Sequence, residues 1–217
     1  MNNNAYNNAI VDYFVTKKVR KVLRMAKDTF HNLSIEKKEK ILDVLKAVFR
    51  KKPLHEVTVK EIVEESGIAR GSFYQYFDDL REAYFEVLNS ELGDIHRLFV
   101  DIFKAKNGDI RAALVEYGEE LGSILFETES YNIYKNYFIY WNENLEREWE
   151  AWKACEEKSD EGSMNDIMSI NFDSEKINYI KGIIHNLIRH NYMENWSAKE
   201  FSHKFNKYVE WILGGIE

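Results

Sequence analysis

One cysteine, one proline and ten glycines in 217 residues set the first limits on this chain. A lone cysteine, Cys155, excludes an intramolecular disulfide framework and any paired-cysteine zinc site. Its neighbours Lys153, Glu156 and Glu157 are charged, so it reads as a bystander rather than a redox sensor. So few prolines and glycines leave few backbone breaks, which points to long helices joined by short turns. No run of about 18 apolar residues occurs, so no membrane span is expected. The first residues lack the short apolar core and cleavage site of a secretory signal, and the expected location is the cytoplasm. No Gly-rich phosphate loop and no cofactor motif is present, and no pair of carboxylates is marked as catalytic. Glu200-x-x-His203 is half of a di-iron bundle motif, but such sites need a second copy, which the sequence lacks. Neither an enzyme activity nor a metal is therefore expected.

Basic charge is also short, with a net charge of −7. Its distribution is uneven. Residues 1–80 carry 15 Lys/Arg against 11 Asp/Glu, while residues 81–217 carry 15 against 26. An acidic C-terminal half is repelled by phosphate, which would orient the protein on a nucleic acid. Within residues 25–80 the balance is neutral, ten against ten, so most of the basic excess lies in residues 1–24. The 45% apolar content is enough for a core in one large domain or two small ones.

What is present centres on residues 58–77, TVKEIVEESGIARGSFYQYF. Thr58 and Glu61 form a T-x-x-E capping box, where hydroxyl and carboxylate satisfy orphan backbone N–H groups. Val59, Ile62 and Val63 follow as an apolar stripe, and Gly67 stands where a left-handed residue ends a helix at low cost. A second short helix from about Ala69 carries Arg70, Gly71, Ser72, Tyr74, Gln75 and Tyr76 around the core residues Phe73 and Phe77. Two short helices around a Gly-containing turn form a helix-turn-helix, whose second helix enters a DNA major groove. Thr58 at a helix N-terminus is placed to hold a phosphate. Arg70 is the candidate base reader, because a guanidinium bonds guanine O6 and N7 bidentately. Gly71 permits close approach to the groove, and Ser72 and Gln75 have side chains that bond bases or phosphates. The competing account of each is plain surface.

Residues 40–85 resemble the DNA-binding domain of the TetR/AcrR family of bacterial repressors. The likeness rests on the apolar first helix, Thr58 opening the second, Ser66-Gly67-Ile68 at the turn, and Phe73-Tyr74-x-Tyr76-Phe77. Asp28-Thr29-Phe30-His31-Asn32-Leu33 resembles one branch of that family, in which Gly71-Ser72-Phe73-Tyr74-Gln75-Tyr76-Phe77 also recurs. The resemblance implies that Tyr74 and Tyr76 contact phosphates. It also shows departures. Relatives usually carry glycine near Pro53, and many place a phosphate-contacting lysine where Leu80 stands, a contact that Arg81 would have to replace.

The rest of the chain is expected to be helical throughout. Residues 10–30 form a basic amphipathic pattern with three open readings: an extra packing helix, an arm on DNA phosphates, or a membrane-surface helix. The first helix of the DNA-binding domain starts after Ser34, buries Ile41, Leu42, Leu45, Val48 and Phe49, and ends at Pro53. A long helix is expected over residues 81–106, a break at Asn107-Gly108-Asp109, and a helix over residues 110–126. One aromatic-rich helix is expected over residues 131–158 and a polar loop over 159–171. Ser174 to Glu194 and then residues 197–214, opened by the capping box Ser197-x-x-Glu200, close the chain.

The expected fold is all-α: an N-terminal extension (residues 1–33), a three-helix helix-turn-helix DNA-binding domain (34–80) and a helical ligand-binding and dimerisation domain (81–217). Tyr117, Phe126, Tyr134, Tyr137, Phe138 and Trp141 are candidate walls of an apolar ligand cavity. The resemblance implies a homodimer through the last two helices, double-stranded operator DNA as partner, and release from it by a small apolar ligand. The rivals are a ligand-converting or metal-dependent helical enzyme and a ligand-binding module with weak DNA recognition.

Overall fold

The structure, a computed structural model, describes residues 29–127, 129–156 and 174–214. It is all-α, with no strand among the described residues. After a helical turn at residues 29–31 come α1 (Ile35–Lys51), a 3-10 turn (Leu54–Glu56), α2 (Val59–Ser66) and α3 (Arg70–Tyr76). The remaining helices are α4 (Leu80–Ala105), α5 (Ile110–Glu127), α6 (Tyr131–Tyr140), α7 (Glu143–Glu156), α8 (Ser174–Glu194) and α9 (Ala198–Gly214). The basic pattern over residues 10–28 and the loop expected at 159–171 lie outside the described residues, as does the side chain of Cys155.

Two compact units result. The first holds described residues up to Val48 together with Leu54–Glu86, and the second holds Phe49–Pro53 and Val87 onward. Helix α4 starts in the first and continues in the second.

The first unit forms around an aromatic cluster. Phe30, Phe73 and Phe77 are fully buried with Ile41, Leu45 and Ile62, and the Phe30 and Phe77 rings lie 4.8 Å apart. Helix α1 presents Ile41, Leu45 and Val48 to this core, as its three- and four-residue spacing requires. Leu42 is only partly buried.

In the second unit α5 packs on α9 and α6 on α8. The first contact depends on a missing side chain. A Cβ on Gly118 would lie 2.4 Å from Phe205 Cδ1 and Cε1, so the helices approach through the space a methyl group would fill. Phe205 then reaches Tyr117, and Phe201 reaches Phe126, at ring separations of 6.4 and 5.9 Å.

Helix ends explain how a chain so poor in glycine and proline turns. Asn107 ends α4 with φ 54°, and Asn195 ends α8 with φ 52°. At the first, Gly108 N–H bonds Phe103 O and Asn107 N–H bonds Lys104 O, the Schellman pattern with Asn in the left-handed position. Asn tolerates that conformation better than other residues with a Cβ. The helix expected over residues 131–158 is in fact two. Trp141 adopts φ −65°, ψ 137°, and Asn142 Oδ1 accepts from the N–H groups of Asn144 and Leu145 at 3.0 and 3.2 Å. A capping asparagine thus outweighs an aromatic pattern that runs on across the break.

Candidate functional site

The helix-turn-helix is built from its caps inward. Thr58 is extended (φ −122°, ψ 149°), its Oγ1 accepts from Glu61 N–H at 3.3 Å, and Glu61 Oε2 accepts from Thr58 N–H at 2.9 Å. The Thr58 hydroxyl also lies 3.0 Å from Glu61 Oε2. The residue expected to hold a phosphate is therefore engaged in fixing the start of α2, with a carboxylate beside it. At the other end Ser66 Oγ donates to Ile62 O at 2.6 Å, and Gly67 takes φ 68° while its N–H bonds Val63 O.

Helix α3 begins at Arg70 after an extended Ala69, and Phe77 closes it (φ −135°, ψ 138°). Phe73 and Phe77 hold one side in the core. Arg70, Gly71, Tyr74 and Gln75 are exposed on the other, and Ser72 is half-buried. These five sequence candidates thus share one short helix. Gly71 is informative. A Cβ there would meet no atom within 4 Å, and its φ is not positive, so the fold itself has no need of a glycine. Glycine inside a helix costs roughly 0.5–1 kcal/mol relative to alanine. Space for an external surface close to the backbone is a reason to keep it.

Tyr76 is placed otherwise than its exposed neighbours. It is 5% exposed, its ring packs near Phe30 and Phe77, and Lys37 Nζ lies 5.8 Å over its face. Its ring is part of what seats α3, because the Phe30 segment covers that side of the helix. Arg81 is exposed in the first turn of α4. That turn carries a cap which the sequence reading missed: Asp79 Oδ1 accepts from the N–H groups of Arg81 and Glu82 at 2.8 and 3.0 Å. Glu82 Oε2 in turn accepts from Asp78 N–H. The D-x-x-E spacing was the available signal.

The candidate ligand residues fall into two clusters. Tyr117 and Phe126 on α5 pack against Phe205 and Phe201 of α9. Tyr134, Tyr137 and Phe138 lie buried on α6, with Trp141 just after it and 4.6 Å from the Tyr137 ring. Phe138 lies against Tyr192 and His185 of α8, at 6.1 and 5.4 Å. Tyr192, absent from the sequence candidates, is nearly fully buried, and its hydroxyl has no hydrogen-bond partner among the described residues. Burial pushes the phenols of Tyr117, Tyr137 and Tyr192 well above their ordinary range. A shallow groove of about 460 Å³ lies away from these aromatics, along α9 at His203, Lys207, Tyr208 and Trp211. Glu200 of the E-x-x-H pattern is occupied in the Ser197 capping box, accepting from Ser197 N–H at 2.8 Å.

Two family profiles match this chain. One, described as "Bacterial regulatory proteins, tetR family", covers residues 41–82, and the other, "Tetracyclin repressor, C-terminal domain", covers residues 110–215. Over 86 residues the chain is 30% identical to an uncharacterized HTH-type transcriptional regulator, YfiR, of Bacillus subtilis. That match spans 40% of this chain and only 41% of the relative. The fold is similar to transcriptional regulator FadR from Bacillus subtilis in complex with stearoyl-CoA, with TM-score 0.56, 18% identity, and 82% and 99% of the two chains covered. It is also similar to a TetR transcriptional regulator from Rhodococcus sp. RHA1, with TM-score 0.54, 15% identity, and 83% and 97% covered.

Proposed function

The chain belongs to the TetR family of bacterial regulators, and from that premise we propose that it is a ligand-responsive, homodimeric repressor of transcription and not an enzyme. Without ligand, the α3 helices of two subunits occupy successive major grooves of a near-palindromic operator, roughly 34 Å apart. A small apolar ligand in the second unit favours a different setting of α4 and spoils that spacing. It does so only to the extent that it binds the two states unequally. The cytoplasm is where such a protein meets its DNA.

The observation that carries this reading is the exposed face of α3. Arg70, Tyr74 and Gln75 surround Gly71, a helical glycine with open space above it and no structural need. Arg70 reads guanine, Gln75 and Ser72 bond bases or phosphates, and Tyr74 and Arg81 lie at the backbone. Thr58 and Tyr76 act mainly by fixing α2 and seating α3. Dimerisation through Ser174–Glu194 and Ala198–Gly214 is supported by large apolar side chains left exposed there: Tyr179 (63%), Met193 (56%) and Trp211 (41%). The aromatic clusters around Tyr137, Phe138 and Tyr192, and around Tyr117 and Phe126, suit an apolar ligand. FadR, to which the fold is similar, holds stearoyl-CoA, a molecule with a long apolar chain.

A gel-shift titration against the DNA upstream of the protein's own gene tests the reading. Saturable binding that weakens steeply with salt is expected, because phosphate contacts release counterions. Equal affinity for this DNA and random duplex at low salt would contradict it. The carboxylates of Glu61, Asp79 and Glu82 at the starts of α2 and α4 favour a second reading, a ligand-binding module with weak DNA recognition, which predicts that latter result.

A further inference from the structure

Arg70 is the only basic side chain in the turn and α3, so the sequence choice attributed to this helix rests on one long, flexible group. Such a group loses rotamer freedom when it is fixed on a base. The structure places one aromatic ring within cation–π reach of it. Arg70 and Tyr74 are one turn apart, where helical side chains meet, and the Arg70 guanidinium lies over the Tyr74 ring at 6.0 Å from its centroid. The Tyr74 ring is itself held edge-on against Phe73, at 5.3 Å and 89°. Phe73 is fully buried, so the platform is anchored in the core of the first unit although Tyr74 is 45% exposed.

We propose that Tyr74 is a positioning residue whose ring, not its hydroxyl, sets the base preference of Arg70. This rests on the reading of α3 as the DNA-contacting helix. The chemistry is directional. Attraction between the guanidinium charge and the ring biases where the group sits without consuming its N–H donors. Those donors are what bond O6 and N7 of a guanine. A phosphate contact by the Tyr74 hydroxyl would raise affinity for every sequence alike and would leave the base preference untouched. The two roles of one residue are therefore separable by which part of the side chain is removed.

The test is selection from a random-sequence duplex library by the full-length protein, run with the parent, Tyr74→Phe, Tyr74→Leu, Tyr74→Gln and Arg70→Ala. The parent should enrich a near-palindrome with a guanine at one fixed position in each half. Tyr74→Phe keeps that guanine. Both ring-less variants relax the choice at that position alone, as Arg70→Ala does, and bind the parental sequence roughly two- to fivefold more weakly, the scale of an exposed cation–π contact. Two ring-less side chains guard against a folding defect in either. Loss of the guanine in Tyr74→Phe, or its retention in both ring-less variants, would overturn the proposal. A parent that enriches no sequence would remove the DNA-binding reading and this inference with it.

Discussion

The turn at α2–α3 and the aromatic region at α6–α8 are built by different means. The first is held by contacts close in sequence: Thr58 with Glu61, Ser66 with Ile62, Gly67 with Val63. The second is held by residues far apart in the chain, such as Phe138 with Tyr192 and with His185. The first leaves its polar groups outward around an exposed glycine. The second turns Tyr134, Tyr137 and Tyr192 inward, and the Tyr192 hydroxyl has no hydrogen-bond partner among the described residues. A surface proposed to meet DNA and a core proposed to take an apolar ligand call for these opposite arrangements.

Substitutions in each region sharpen the contrast. The largest effect is expected for Phe30→Ala, which removes a fully buried ring from the cluster that seats α3. Loss of about 3–5 kcal/mol is expected from a denaturant titration. A loss under about 1 kcal/mol would place Phe30 outside the core. Next is Gly118→Ala, where the new methyl group meets Phe205 at 2.4 Å. Overpacking of this kind costs roughly 1–3 kcal/mol, and the midpoint of unfolding should fall with unchanged slope. Removing a cap is smaller. Asn142→Ala should cost about 1 kcal/mol, measured the same way, because two N–H groups at the start of α7 lose their acceptor.

Gly71→Ala separates the two kinds of constraint. It should stabilise the protein by roughly 0.5–1 kcal/mol, since the site is helical and open. It should also weaken DNA binding, since the methyl group fills the space the groove needs. A variant that is more stable and binds DNA equally well would leave the glycine unexplained. The smallest effect concerns pH. Hydrogen bonds from Ser197, backbone and hydroxyl, hold the Glu200 carboxyl below its ordinary value of 4.5. A carboxyl lowered by folding contributes stability above that ordinary value and loses it as pH falls through the lowered one. Glu200→Gln should lower the melting temperature slightly at neutral pH and match the parent at acid pH, so that the acid limb of a thermal-melt series flattens slightly.

Much of the first region was legible in the sequence because its determinants are local. The box Thr58-x-x-Glu61, the left-handed Gly67, and the core roles of Phe73 and Phe77 all follow from spacing, as does the box Ser197-x-x-Glu200 outside that region. Asp79-x-x-Glu82 carries the same spacing, but the Glu82 carboxylate reaches the N–H of Asp78 and not that of Asp79, so the pattern is less regular. The break at Trp141–Asn142 was hidden by aromatic residues that continue across it. The burial of Tyr76 depends on Phe30, and the separation of Tyr117 and Phe126 from the α6 aromatics depends on α9 and α8 choosing different partners. Periodicity shows which face of a helix is apolar but not which helix will cover it.

The most direct measurement of the central claim is a hydroxyl-radical footprint of the full-length protein on the DNA it selects. Two symmetric protected segments, centred about one helical turn apart, are expected from a dimer presenting two copies of α3. A footprint with no two-fold symmetry, or no protection at concentrations that saturate binding, would contradict the account.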